Sequence, residues 1–319
     1  MLNNCIHIFI PSYHRPDNIK TAKYFAARGW DMSRVHVFID SETDDKAQYE
    51  KACAELGCNL HVFDMDDARS RYDYVHRGSP SLRSAGQARN TFQDWAQKHG
   101  IDFYCVQDDD TLYMEVLDDK RRRAEGEDML LCYSAIEKTM RSHHIGVLAL
   151  PQNGDLACGH EKYMTYTYKR KVMNCTFYLL PYIYRGERGV QDDDTSMFCG
   201  ILNAGLFTGT LIYGITLEQH QSAVQPGGLT DLYHECKLLN KALICPIQFP
   251  SAIHAQKQVM NGNRIHHRIE YRYLAPCIIK GDDPKRDNIA WDKWPEDVPF
   301  TQEAFYKDWR ITEIRKPNV

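Results

Sequence analysis

Four short apolar runs, at residues 6–11, 35–40, 59–63 and 103–106, are separated by stretches with helical spacing, and this alternation constrains the chain most. Helices are expected at 18–27 with Asp17 as N-cap, at 44–56 closed by Gly57, and at 85–99 closed by Gly100. A long loop fills the interval before the helix at 85. Strand–helix alternation of this kind predicts an α/β fold: a mostly parallel sheet flanked by helices, with right-handed crossovers. Ligands bind such sheets at the carboxyl ends of the strands. Asp40, Asp64 and Asp108–Asp110 all fall at those ends.

The second half of the chain is mixed. Residues 145–150, 176–180 and 211–215 read as strands, and 195–203 and 230–240 as helices. From about residue 251 the pattern weakens into a tail rich in Arg, His, Asp, Pro and Trp. The economical division is one catalytic domain over 1–250 and a C-terminal extension or lid over 251–319.

The sharpest chemical signal is a strand running straight into Asp108-Asp109-Asp110. Three carboxylates at a strand end repel one another unless a cation or a dense set of donors offsets the charge. Manganese or magnesium prefers oxygen ligands and commonly joins one or two carboxylates to substrate phosphates. A second acidic triplet, Asp192–Asp194, opens the helix expected near 195. Acids are favoured at a helix start by capping and by the dipole. A hydroxyl acceptor also needs a separate carboxylate to take its proton.

The blocks IPSYHRPD, SAGQARNTF, VQDDDTLY and GVQDDDTSMFCGILNAG occur in this order. Together they resemble the inverting GT-A glycosyltransferases, over about residues 5–208. The resemblance implies a Rossmann-like GT-A fold, with 1–110 as the nucleotide-sugar-binding half and 111–250 as the acceptor and base half. It implies that Pro11, Ser12, Tyr13 and Arg15 line the nucleotide pocket, with Asp40 near the base. Arg89 and Asp109 would join the donor site, Arg89 approaching the sugar or diphosphate. Asp108 and Asp110 would hold the divalent metal, and His254 is a candidate late ligand. The base would be Asp192, or Asp193 one residue on; Gln191 stands where the family has Glu. The implied partner is a nucleotide-diphosphate sugar.

Lys257, Arg264, His266, His267, Arg268 and Arg272 form a basic segment with Tyr271 and Tyr273 interleaved. Lys257, Arg264 and Arg268 are candidates to grip phosphate or an acceptor backbone. The triplet Arg121–Arg123 reads as a charged helix surface, and Tyr163, Tyr166 and Tyr168 as a sheet face or a groove lining. The chain's form also resembles phage enzymes that glycosylate hydroxymethylated pyrimidines, which makes DNA the favoured acceptor. A surface polysaccharide, a lipid-linked glycan or a protein is the alternative acceptor. From other classes, a metal-dependent nuclease or nucleotidyltransferase and a silent nucleotide-binding module remain open. The net charge of -4 argues against a uniformly basic nucleic-acid binder. No apolar run approaches the roughly 18 residues of a spanning helix, so no membrane partner and a cytoplasmic location are expected, the host's if phage-encoded. The 11 cysteines lack a CxxC pair and read as buried free thiols.

Overall fold

The structure, a computed structural model, describes residues 6–274 except 44, 76–83, 117–121, 144, 153–165, 168–170, 184–188, 190–191, 205, 207, 212–214, 220–240, 259–263 and 271–272. Its sheet is built around β1 (His7–Pro11), whose successive side chains face opposite ways. Ile8 and Ile10 pack into one core and Phe9 into another. The same division runs through β2 (Val35–Asp40), with Val37 and Ile39 on one side and Phe38 on the other. In β4 (Phe103–Gln107), Cys105 opposes Tyr104 and Val106. Strands buried on both faces require a helical layer above and below.

The sheet has eight strands, in the order β3 (Asn59–Phe63), β2, β1, β4, β8 (Cys175–Leu179), β6 (Val147–Ala149), β9 (Thr208–Leu211) and β7 (Tyr166–Thr167). The four strands from β3 to β4 are parallel. Antiparallel β8 joins them to the parallel pair of β6 and β9. Helices α1 (Lys20–Ala26), α2 (Lys46–Leu56) and α5 (Gly126–His143) cover one face; α4 (Ala85–Lys98) and α6 (Asp193–Asn203) cover the other. The α/β class with a mostly parallel, helix-flanked sheet is therefore as expected. Gly57 ends α2 in the left-handed conformation, φ 73°, which only glycine adopts without a Cβ penalty.

Several local expectations fail. Asp17 does not cap α1; it lies inside a short 3-10 turn opened by Pro16, and α1 starts after Ile19. The expected loop after β3 contains α3 (Met65–Arg71), capped by the Asp64 side chain on the amides of Asp66 and Asp67. Asp64 is thus a cap, with its carboxylate spent on its own helix. Arg122 and Arg123 are not helical: Arg123 bridges to Glu115 and Arg122 pairs with Asp128. Of the strand expected at 211–215, Leu211 ends β9 and Ile215 begins β10 (Ile215–Gln219), and 212–214 lie outside the described residues. Strand β10 pairs with β5 (Thr111–Val116), which directly follows the first acidic triplet.

The tail also holds more structure than its pattern showed. After α7 (residues 241–248), β11 (Ile253–Gln258) and β12 (Arg264–Ile269) form an antiparallel hairpin. Ala252, Ile253 and Leu274 enter the second core beside Phe198 and Met197, so the core runs past residue 250. The expected helix at 230–240 and the side chains of Tyr163, Tyr166, Tyr168 and Arg264 lie outside the described residues. All seven described cysteines are free, and six are buried. No helix among the described residues is long and apolar enough to cross a membrane.

Candidate active site

The carboxyl ends of β1, β2 and β4 open onto one pocket, closed on its far side by the first turns of α4 and α6. Its empty volume is about 1130 Å³, counting its open mouth. Pro11, Ser12, Tyr13, Arg15, Asp40, Arg89, Asp108, Asp109, Asp110, Asp192 and Asp193 all line it. Sequence reasoning did not single out Phe38, Phe63 and Met65, which give the pocket an apolar end, or Asn174 and Lys241, and it gave Asp194 no role beyond its place in the triplet.

The loop after β1 is fixed before any ligand arrives. Ser12 donates its amide to the Phe38 carbonyl, and its hydroxyl contacts the buried Tyr49 hydroxyl at 2.8 Å. Tyr49 also accepts the Arg15 amide at 2.9 Å. Asp109, the middle acid, faces inward: Ser12 Oγ donates to it at 2.6 Å and Arg15 at 2.9 Å. From α1, Thr21 bonds the Asp108 carbonyl through its hydroxyl and the Asp109 carbonyl through its amide. Asp109 therefore ties the acidic turn to the β1 loop, and Asp108 and Asp110 flank it.

Those two carboxylates are poorly compensated. Asp110 shares the Arg15 guanidinium at 3.9 Å, and Asp108 meets Arg89 at 3.3 Å. Burial, then repulsion from Asp108 and Asp109, pushes the Asp110 carboxyl up to about 7. Burial likewise raises Asp108 to about 6 against the pull of Arg89. Paired oxygen donors that resist carrying charge by themselves suit a hard divalent cation. Among the described residues no group of three or more His, Cys, Asp or Glu forms a cage. An open site of one or two carboxylates completed by phosphate oxygens is the usual pattern for magnesium.

The second triplet is arranged differently. Asp192 caps α6 with a left-handed backbone, φ 55° and ψ 35°, unusual for a residue other than Gly. Lys241 lies 3.2 Å from its Oδ1 and His267 Nδ1 lies 3.0 Å from its Oδ2. Burial pushes its carboxyl up, but His267, Lys241 and Lys171 outweigh burial and hold it well below the usual range. Both carboxylate oxygens are shut off from solvent. Asp193 instead pairs with Arg89, the same side chain that reaches Asp108. Asp194 pairs with Lys171 at 2.6 Å. Close approach of α4 and α6 sets this geometry: a Cβ on Gly86 would lie 3.2 Å from the Asp193 Cβ.

The basic segment reaches the site through one residue among those described. His254 is exposed, sits opposite Arg268 in the hairpin ladder and is not among the residues that line the pocket. Lys257 and Arg268 are also exposed and outside the pocket. Alternation along β12 turns His267 inward instead, onto Asp192. Its position within a basic run was visible in the sequence, but its partner was not.

Similarity to known proteins is uneven. Among solved structures, glucosyl-3-phosphoglycerate synthase from Mycobacterium tuberculosis with Mg2+ and uridine-diphosphate is 11% identical, covering 83% of this chain and 86% of that one, with a TM-score of 0.41. The same enzyme with Mn2+ and uridine-diphosphate-glucose is 11% identical over 84% and 90%, with a TM-score of 0.42. Mannose-1-phosphate geranyltransferase from Thermus thermophilus is 13% identical over 46% and 40%, with a TM-score of 0.24. No curated protein matches the sequence. The family model for TET-associated glycosyltransferases matches residues 6–228, which takes in both acidic triplets. The chain belongs to the TET-associated glycosyltransferase family and is an enzyme that transfers sugar.

Proposed function

We propose that the enzyme transfers a sugar, with inversion, from a nucleotide-diphosphate donor to the hydroxyl of a 5-hydroxymethylpyrimidine in DNA. The observation that carries the transfer chemistry is the pairing of two acidic triplets in one pocket, undercompensated at Asp108 and Asp110 and cation-bound at Asp192 and Asp193. The apolar end, with Phe38, Phe63 and Met65, suits a nucleobase, with Asp40 beside it as a hydrogen-bond acceptor. Asp108 and Asp110 would hold a divalent cation, Mn or Mg, which when bound offsets charge on the departing diphosphate. Arg89 is in reach of the same phosphates.

Asp193 is the better base of the two candidates. Both Asp192 oxygens are enclosed, one against Lys241 and the other against His267, so an acceptor hydroxyl has no route to them. The acceptor oxygen bonds to the anomeric carbon as its bond to the diphosphate breaks. The hydroxyl proton passes to Asp193, and the nucleoside diphosphate leaves. Asp192 anchors the turn that presents Asp193.

Two observations favour DNA. The hairpin that carries His267 exposes Lys257 and Arg268, cations suited to a phosphate backbone. The family itself is described as TET-associated. A phage enzyme acting on DNA would work in the cytoplasm of its host. The test is mass spectrometry of nucleosides from hydroxymethylated DNA incubated with the protein, manganese and a panel of nucleotide sugars. A hexose- or pentose-sized gain is expected. Release of nucleoside diphosphate without any gain would remove DNA and turn the search to glycan, lipid-linked or protein acceptors. Cleaved DNA with intact donor would point to the nuclease class instead.

A further inference from the structure

The hairpin of β11 and β12 is joined to α6 by more than apolar packing. His267 comes from 75 positions beyond Asp192, yet its ring nitrogen lies 3.0 Å from the Asp192 carboxylate. Neither side chain is accessible: 6% of His267 and 1% of Asp192 is exposed. The contact falls on the residue whose backbone takes the sparsely populated left-handed conformation. Such a conformation costs on the order of 1–3 kcal/mol and persists only where surrounding contacts over-determine it. Here the surroundings are specific. Lys241 from α7 holds the other carboxylate oxygen, Lys171 approaches from the segment before β8, and the Asp192 carbonyl accepts from Cys245. The next residue in the chain is Asp193, the first residue of α6, so the Asp192 torsions set where that carboxylate points.

We infer, on the reading of Asp193 as the base, that His267 is a positioning residue: it locks the Asp192 turn and thereby aims Asp193 at the acceptor hydroxyl. The hairpin then serves the site with two faces. Its outward residues His254 and Arg268, cross-strand neighbours, are exposed and would meet the acceptor, and its inward His267 sets the base. His267 does not itself line the pocket and touches no reacting atom, so it acts only through Asp192.

The experiment compares the full-length protein with His267→Ala, His267→Asn and Asp193→Asn, by steady-state kinetics and by amide exchange of residues 192–196. Asparagine can present an N–H where Nδ1 stands, and alanine cannot. His267→Ala should lower kcat roughly 10- to 100-fold, the scale of a small misplacement of a reacting group. The KM for the nucleotide sugar should stay unchanged, and amide exchange in the first turn of α6 should quicken. His267→Asn should recover most of kcat and restore slow exchange. The acid limb of kcat should move to higher pH in His267→Ala, because Asp192 then keeps only Lys241 and Lys171 against Asp194 and the Cys245 thiol. A kcat for His267→Ala near wild type, or unchanged exchange at 192–196, would overturn the inference. Equal loss in the Ala and Asn variants would reduce His267 to a packing residue, which overturns it too. Asp193→Asn turning over normally would sink the base assignment alone, and the exchange readout would still decide whether His267 locks the turn.

Discussion

Residues 106–111 and 190–195 carry the same hexapeptide, Val-Gln-Asp-Asp-Asp-Thr. The first copy leaves strand β4 and enters β5; the second opens helix α6. In the first, the middle acid is consumed by Ser12 and Arg15 and its neighbours are pushed up, Asp108 to about 6 and Asp110 to about 7. In the second, Asp192 and Asp194 are held down by His267, Lys241 and Lys171 against their burial. One copy therefore has too little positive charge to offset its burial, and the other has enough. Six identical residues thus serve one site in two ways, and the difference lies in what other parts of the chain bring to them.

That contrast can be broken most sharply by activity. Asp193→Asn should cut transfer by about 100-fold or more while donor binding persists, the range for loss of a general base. Asp110→Asn should instead abolish the thermal stabilisation by manganese plus nucleoside diphosphate, a gain of about 2.7 kcal/mol at 100 times the dissociation constant. Calorimetry with and without those ligands separates the two, and if both variants behaved alike the division of labour would fail.

Stability of the metal-free protein sharpens the contrast next. Asp192→Asn leaves Lys241 and His267 without their carboxylate, which should cost about 3 kcal/mol, the low end for breaking a buried pair. Asp110→Asn removes a charge the fold resists and should leave the melting temperature unchanged or higher. Movement in the same direction would erase the difference.

Acidification separates the same groups by sign. Asp192 and Asp194 are lowered in the fold, so their contribution is full above the unfolded value near 3.9 and is lost as pH falls below it. Asp110 is raised to about 7, so the folded protein binds the extra proton between 7 and about 3.9, and this group favours folding increasingly as pH falls through that window. Melting curves from pH 8 to 4 should therefore show the advantage of Asp110→Asn over wild type shrinking with acid. The deficit of Asp192→Asn should persist to about pH 4. The smallest effect belongs to Gly86→Ala, whose added methyl would press on Asp193 at 3.2 Å. A net stability change under about 1 kcal/mol is expected, because crowding is offset by a stiffer unfolded chain. Transfer should fall by a few-fold, read as kcat.

Much of the first 110 residues was legible because its signals are local. The runs at 35–40 and 59–63 became β2 and β3 with the expected bounds, and Gly57 and Gly100 ended their helices. Where the reading failed, the deciding contact was remote. Strand β5 pairs with β10, about a hundred residues away, and nothing in Thr111–Val116 announces that partner. The hairpin at 253–269 was read as a weakening tail because its apolar anchors, Ala252 and Ile253, pack on α6 rather than on each other. Asp64 looked like a site acid by its place at a strand end, and capping of α3 claimed it first.

The sequence by itself determined the order β1, α1, β2, α2, β3, α4 and β4, though not α3 among them, and marked eleven residues that line the pocket at one edge of the sheet. It could do so because propensity, capping and side-chain alternation act between near neighbours. Only the tertiary structure decided which acidic triplet is neutralised and which Asp faces the pocket. Charges interact through space, and Lys241 and His267 reach Asp192 from 49 and 75 positions further along the chain.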